Sequence, residues 1–367
     1  MRLAYDVTAL HDARTGVGVV TSELLTRIAL VGDVDVTAYS VSWRGRGTIA
    51  GLVPPGVRVV TRPAAAQPLR FLWRRVDAPP ITWWTGPVDV VHGPNFVVPP
   101  AGRAAQLATV HDLTCIRFPE MCTDDVLQYP GLIRRALARG AHIHVVSHFV
   151  AGEVVELLGA DPEHVHVVSN GVNDVAGGDP AAGRAVAGGD RYVLAIGTVE
   201  PRKDLPTLVA AFDAAAADDA ELRLVIAGPD GWGADELASA LVAARHRDRI
   251  VRVGWIGDEA RADLLAGATV FAFPSRYEGF GLPPLEAMAA GVPVVTTRAG
   301  ALPEVVGDAA ELVDVGDVDG LASAIALLAG EGDAKREARI ERARARPALF
   351  TWDAAAAQLI ELYRRLC

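Results

Sequence analysis

Glu278-Gly-Phe-Gly-Leu-Pro-Pro-Leu-Glu286 follows an apolar run, Val270-Phe-Ala-Phe-Pro-Ser275. The run reads as a buried strand ending at Ser275, followed by a glycine-bearing loop. A helix then opens at Pro283-Pro284, because proline suits a first turn where no amide proton is needed. Gly291, with Pro293 behind it, stops that helix after about two turns. Glu278 is therefore expected in the loop ahead of a helix N-terminus, and Glu286 in the first turn of the helix. Between them the N–H groups of Gly279, Phe280, Gly281 and Leu282 are expected to point outward without partners. Such a turn suits phosphate, with a carboxylate on either side to hold hydroxyls. Phosphate and polyol bound together imply a sugar nucleotide.

Outward from this stretch, short apolar strands alternate with helical segments, the pattern of an α/β architecture with parallel sheets. In the first half the strands are expected at Leu3–Asp6, Val34–Tyr39, Val57–Val60, Val88–His92, Gln106–Val110, His142–Val146 and Val165–Val168. The second half restarts with Tyr192–Gly197, Leu222–Gly228, Ile250–Val253, Val270–Phe273, Val292–Thr296 and Glu311–Val313. The stretch Asp174–Asp190, rich in Gly, Ala, Asp and Pro, reads as a linker. Two doubly wound domains are expected, residues 1–173 and 174–350, with the ligand in a cleft at the carboxyl ends of their sheets. Asp204 is placed to cap a helix whose buried stripe is Leu205, Leu208, Val209 and Phe212. Val318, Leu321, Ile325 and Leu328 mark another. Residues 351–367 read as a capped helix anchored by Trp352, Leu359, Ile360 and Tyr363.

Composition sets the outer limits. The chain has 367 residues, too many for one ordinary core, and 51% are hydrophobic, enough for large buried sheets. No apolar run reaches the roughly 18 residues that span a bilayer. The start, Met1-Arg-Leu-Ala-Tyr-Asp6, reads as a first strand rather than a signal peptide. Cys115, Cys122 and Cys367 make no metal or disulfide pattern, so a reducing cytoplasm is expected. A net charge of −10 argues against a general nucleic-acid binder. Only Lys203 and Lys335 are lysines among 35 basic residues, which draws attention to position 203.

Glu200-Pro-Arg-Lys203 lies where a strand gives way to a helix. There Arg202 can grip two phosphate oxygens and Lys203 acts as a compact charge. A solvated surface pair is the bland alternative. Gly16 and Gly18, in Arg14-Thr-Gly-Val-Gly18 after the first strand, suit a glycine turn that lets backbone approach phosphate. Thr21 occupies the place of a third glycine, so a dinucleotide fingerprint is not supported. His111-Asp112 ends a strand at the expected cleft edge, as either a functional or a capping pair. Two Asp-x-Asp strings, Asp33-Val-Asp35 and Asp317-Val-Asp319, read as a strand opening and a helix cap rather than metal ligands. Arg70-Phe-Leu-Trp-Arg-Arg75 and Ile133–Arg139 are basic amphipathic pieces; solvated arginines on core helices are weighed against contact with a membrane surface or an anionic acceptor. A hydrolase with paired carboxylates is a rival for Glu278 and Glu286, but it needs no polyanion site.

Taken together these motifs resemble the retaining glycosyltransferases of family 4, which have the GT-B fold. The resemblance is carried by Gly197-Thr-Val-Glu-Pro-Arg-Lys203, Gly254-Trp-Ile-Gly-Asp258, Phe273 through Glu286 and Gly291-Val-Pro-Val-Val295. In the first half His92-Gly-Pro-Asn-Phe96, Val110-His-Asp-Leu113, Val146-Ser147 and Asn170-Gly-Val172 add to it, and are most similar to bacterial mannosyltransferase-type members that build polysaccharides. The resemblance implies that Arg202 and Lys203 bind the donor diphosphate. It places Glu278 and the amides of Gly279 to Leu282 at the donor sugar and distal phosphate, and Glu286 at the ribose hydroxyls. It sets Gly16 and Gly18 against the diphosphate, His111 beside the transferred sugar, and Ile256 against the base. The C-terminal helix is expected to cross back to the first domain. Asn173 departs from the family pattern, where aspartate is more usual, with no catalytic consequence expected.

The implied activity is hexose transfer from a nucleoside diphosphate sugar to an acceptor hydroxyl with retention, using no metal and no cofactor. GDP-mannose is favoured as donor, with UDP- and dTDP-sugars as alternatives. The acceptor is expected to be a glycan, a lipid-linked glycan or a small molecule, in the cytoplasm or at the inner membrane face. A GT-B sugar-nucleotide epimerase and a nucleotide-binding relative without turnover remain the other classes.

Overall fold

The computed structural model describes residues 1–11, 16–42, 47–62, 65–173, 175 and 177–367. They form two compact units, Met1–Gly171 with Phe350–Cys367, and Val172–Leu349. Asn173 thereby falls in the second unit and the C-terminal helix in the first.

In the first unit the strands are β1 (Arg2–Asp6), β2 (Asp35–Val41), β3 (Arg58–Arg62), β4 (Val90–Gly93), β5 (Ala105–Val110), β6 (His142–Val145) and β7 (Val165–Val167). They make one parallel sheet in the order β3-β2-β1-β4-β5-β6-β7. Chain order reverses between β1 and β4, so the loops leaving these strands diverge there and open a crevice at the carboxyl edge. Ala4, Val91, Ala108, Ile143 and Val145 form part of the core with Leu132, Ile133, Val150 and Val154 from helices. A sheet covered on both faces requires near-continuous apolar strands, which is why these segments were visible in sequence.

The helix Trp352–Leu366 completes this unit. Thr351 Oγ1 accepts the amide of Ala354 at 3.2 Å and starts the helix. Trp352, Leu359, Ile360 and Tyr363 are buried, and the helix lies along the helix Gly16–Ala29. Arg27 donates to Asp353 at 2.7 Å and Arg364 to Asp33 at 2.7 Å. Gly171 is needed beneath it: a Cβ there would stand 2.3 Å from the Trp352 nitrogen.

The second unit repeats the design with β8 (Arg191–Ile196), β9 (Leu222–Ala227), β10 (Ile250–Gly254), β11 (Val270–Phe273), β12 (Val294–Thr297) and β13 (Glu311–Val313). The order is β10-β9-β8-β11-β12-β13, all parallel, with the reversal between β8 and β11. Leu205, Leu208, Val209 and Phe212 pack on Val193, Leu224 and Val270, with Leu321, Ile325 and Leu328 beside them. Full burial of each such side chain contributes about 1.5–3 kcal/mol.

Three expectations need correction. The stretch Asp174–Asp190 is not simply linker: it contains the helix Pro180–Ala187, whose N-terminus is capped by Asp179 accepting the Ala181 amide at 2.8 Å. That helix packs on the helix Asp258–Gly267, and the Asp179 amide donates to Asp263 at 2.7 Å. Gly16 and Gly18 open the helix Gly16–Ala29 instead of forming a turn, and Thr21 is buried with its hydroxyl on the Val17 carbonyl. Arg14 and Thr15 lie outside the described residues. Asp204 occupies the N-cap position of the helix Leu205–Ala215 in a left-handed conformation, φ 48°, and makes no side-chain cap.

Candidate functional site

The loops leaving β8 and β11 flank the reversal point of the second sheet and carry the charged residues. After β8 the chain makes a tight turn, Pro201–Lys203, begun by proline and closed by left-handed Asp204. Neighbouring strand ends pack closely here: a Cβ on Gly228 would lie 1.9 Å from the Gly197 carbonyl oxygen. After β11, the Arg276 amide donates to the Arg202 carbonyl at 2.8 Å and joins the two loops. Gly300, with φ +56°, lets the chain pass against Glu278, where a Cβ would stand 2.2 Å from the Glu278 carbonyl oxygen.

Arg202 donates from Nη1 to Glu278 Oε2 at 2.5 Å and to the Tyr277 carbonyl at 3.0 Å. Its Nη2 reaches Glu200 Oε1 at 2.6 Å. Lys203 Nζ donates to Glu278 Oε1 at 2.6 Å and lies 4.6 Å from the centre of the Phe273 ring. The predicted pair of open cations is thus a balanced cluster of Arg202, Lys203, Glu200 and Glu278. Burial favours the neutral Glu278 carboxyl, but Arg202 and Lys203 outweigh it and bring its pKa down to about 2. Burial lowers the Lys203 pKa, opposed by Glu278. A carboxyl held at about 2 is ionised throughout neutral pH and cannot serve as a proton donor. The hydrolase reading, which needs a carboxylic acid of raised pKa, therefore loses Glu278 as its acid.

Glu286 lies in the helix Leu282–Ala289, in the second turn and not the first. It is 2% exposed. Asn173 Nδ2 donates to its Oε1 at 3.1 Å, and the Arg261 guanidinium pairs with its Oε2. Gly279 and Phe280 each have an interaction partner. Gly281 has φ +127° and Leu282 opens the helix. Asn173→Asp would set a second carboxylate against Glu286 where an amide donor now stands. We expect it to weaken nucleoside diphosphate binding about tenfold, the cost of one charge-assisted hydrogen bond. Calorimetric titration with GDP and UDP reads this directly, and unchanged affinity would show that the amide is not needed.

Ile256 is half-buried in the loop after β10, beside Trp255, which is 61% exposed.

In the first unit, His111 follows β5 and its Nε2 donates to the Pro94 carbonyl at 2.7 Å. A carbonyl only accepts, so the Nε2 proton is assigned and Nδ1 keeps its lone pair. Burial lowers the His111 pKa, opposed by the Pro94 carbonyl and Asp112, so the ring is neutral at pH 7. Phe96, in a left-handed conformation with φ 60°, meets the His111 ring edge-on at 5.7 Å and stacks on Tyr129 at 4.8 Å. Asp112 takes the capping role, accepting from the Thr114 amide at 2.9 Å and hydroxyl at 2.7 Å. Asp317 likewise caps a helix through the Gly320 amide, and Asp33 pairs with Arg364.

Within the second unit the fold thus brings together Arg202, Lys203 and Glu278, and separately sets Glu286 among partners of its own. Glu200 and Arg261 were missed as members of these clusters. Glu200 could have been found, since it shares the turn; nothing in sequence marks Arg261 among so many arginines.

A model described as "Glycosyltransferase Family 4" matches residues 14–175, and one described as "Glycosyl transferases group 1" matches residues 190–331. The O-antigen chain mannosyltransferase B of Escherichia coli is 33% identical over 285 residues, 76% of this chain and 74% of that protein. Among solved structures, sucrose-phosphate synthase from Thermosynechococcus elongatus superposes with a TM-score of 0.77 at 22% identity, covering 100% of this chain and 98% of that one. HepE of Anabaena, solved in complex with UDP and glucose, gives 0.73 at 18% identity, with 100% of each chain covered.

Proposed function

The chain belongs to glycosyltransferase family 4, and from that premise we propose that it transfers mannose from GDP-mannose to an acceptor hydroxyl, with retention and without a metal. The observation that carries the proposal is the cluster of Arg202, Lys203 and Glu278 at the strand-order reversal of the second sheet, where doubly wound folds bind nucleotides. Mannose is favoured by the similarity to a mannosyltransferase.

In this reading the donor diphosphate enters beside Arg202 and Lys203 and shares them with Glu278. As the bond from the anomeric carbon to the phosphate oxygen breaks, charge grows on the departing diphosphate. The two cations answer it, the part a metal ion plays in other folds. Glu278, permanently ionised, accepts hydrogen bonds from the sugar hydroxyls and keeps both cations in position before the donor arrives. Glu286 accepts from the ribose hydroxyls. His111, neutral and pinned by Pro94, presents an acceptor nitrogen to the transferred sugar. No carboxylate is assigned as nucleophile, so the acceptor attacks from the face the diphosphate leaves, and a phosphate oxygen takes its proton.

The acceptor belongs to glycan biosynthesis, free or lipid-linked. Among the described residues no helix is long and apolar enough to cross a membrane. The helix Ala66–Trp73 exposes Phe71, with the Arg75 guanidinium 3.7 Å above its ring, a surface suited to a peripheral lipid-linked acceptor.

Incubation with GDP-mannose, UDP-glucose and dTDP-glucose, with and without mannosyl acceptors and EDTA, tests the proposal. The expected result is GDP release that requires acceptor, an α-mannoside product and indifference to EDTA. Conversion of donor without acceptor would make the protein an isomerase. Binding without turnover would make it a nucleotide-binding relative, and strong inhibition by EDTA would reject the metal-free account.

A further inference from the structure

Glu286 and Arg261 form an ion pair in which the carboxylate is almost wholly buried and the guanidinium partly so. Ion-paired carboxylate has four lone-pair directions, two on each oxygen. Among the described residues Asn173 uses one on Oε1 and Arg261 one on Oε2, which leaves one acceptor direction on each oxygen. Two acceptors on a single carboxylate match the two hydroxyls of a vicinal cis diol. Among the described residues the buried Nε–H of Arg261 has no hydrogen-bond partner. A guanidinium placed with one donor unspent is poorly explained by fold stability alone, and its contact with Glu286 is what it gains.

We propose that Arg261 is a positioning residue that holds the Glu286 carboxylate correctly turned to read the ribose diol of the donor nucleotide. The inference rests on the reading of Glu286 as the ribose acceptor. Without Arg261 the Oε2 side of the carboxylate loses its charged partner. Rotation of the carboxylate plane would also be freed on the Oε2 side. Arg261 itself stays charged at pH 7, since burial lowers its pKa only to about 10.

The test is calorimetric titration of the whole protein with GDP, 2′-deoxy-GDP, UDP, 2′-deoxy-UDP and inorganic pyrophosphate. The wild-type protein is expected to prefer a ribonucleotide over its deoxy counterpart by about tenfold or more, the worth of one hydrogen bond to a charged acceptor. Arg261→Leu is expected to abolish that preference while pyrophosphate affinity stays at the wild-type level, and Arg261→Lys to restore part of it. Loss of structure alone would weaken every ligand together and leave the ratio unchanged. If Arg261→Leu keeps the wild-type ratio, the positioning role is overturned while the Glu286 reading stands. If the wild-type protein itself shows no ribose preference, the Glu286 reading fails and the inference falls with it. Should Arg261→Leu not fold, Arg261→Gln, uncharged and polar, carries the same measurement.

Discussion

Replacing Lys203 by alanine lowers turnover about 10²–10³-fold, the usual cost of removing one preorganised donor from a developing anion. The loss falls mainly on kcat, because the charge that Lys203 answers grows as the diphosphate departs. Structure should survive. Glu278 retains Arg202 at 2.5 Å, so the carboxylate is not left without a cation. Single-turnover kinetics with GDP-mannose and a melting curve on the same preparation separate the effects. Near-wild-type turnover in a folded Lys203→Ala protein would remove the leaving-group role. Lys203→Arg is expected to rescue poorly, since a planar fork cannot take the place of a compact ammonium between the Phe273 ring and Glu278.

Acidification from pH 7 to 4 is expected to unfold the first unit before the second. A buried chain of hydrogen bonds crosses its sheet and reaches the C-terminal helix. His144 Nε2 donates to the Val168 carbonyl at 2.9 Å, so His144 Nδ1 must accept from the Thr109 hydroxyl at 2.8 Å. Thr109 Oγ1 then accepts from His92 Nε2 at 2.8 Å, and His92 Nδ1 accepts from the Tyr363 hydroxyl at 2.6 Å. With both rings neutral, as at pH 7, each contact in the chain has one donor and one acceptor. Burial brings the His144 pKa down to about 4, and burial with the neighbouring His144 and His111 lowers His92 well below its ordinary value.

Between those lowered values and 6.5, the unfolded chain binds protons that the folded chain does not, so stability rises with pH. The contribution is complete above 6.5 and is lost as pH falls towards the folded values. For His144 alone the span from 6.5 to about 4 corresponds to about 3 kcal/mol. Glu278 is held near 2, so its own contribution is lost only below the ordinary carboxylate range, between about 4.5 and 2. Hydrogen exchange at pH 7, 5.5 and 4 should show protection falling first in β4 to β6 and the helix Trp352–Leu366. Equal protection at all three values, or earlier loss in the second unit, would refute the ordering.

The strands were legible because each is a short run of apolar residues bounded by turn signals, and burial of both sheet faces leaves little freedom in that pattern. The helix Leu282–Ala289 was legible for a similar local reason, with prolines at its start and Gly291 at φ +77° past its end. Its interior was read less well. A helix opening at Pro283-Pro284 puts Glu286 in the first turn, but Leu282 already belongs to the helix, and the buried carboxylate meets Asn173 and Arg261. Gly16 and Gly18 misled in the opposite way, since two glycines after a strand suggest a turn, while here they begin a helix. The helix within Asp174–Asp190 was hidden by composition: its stability comes from packing on Asp258–Gly267, where a Cβ on Gly183 would stand 2.2 Å from the Asp263 carbonyl oxygen.

Local order along the chain was enough to specify an α/β architecture, the strand positions and the residue types that could bind phosphate and hydroxyls, since periodicity, proline and glycine act over a few neighbours. Which charges meet was settled only by folding. Arg202 and Lys203 reach Glu278 across 76 and 75 positions of sequence, and Arg261 and Asn173 reach Glu286 across 25 and 113. Electrostatic partnership depends on distance in space and on the water excluded around each pair, and neither quantity exists until the β8 and β11 loops are brought side by side.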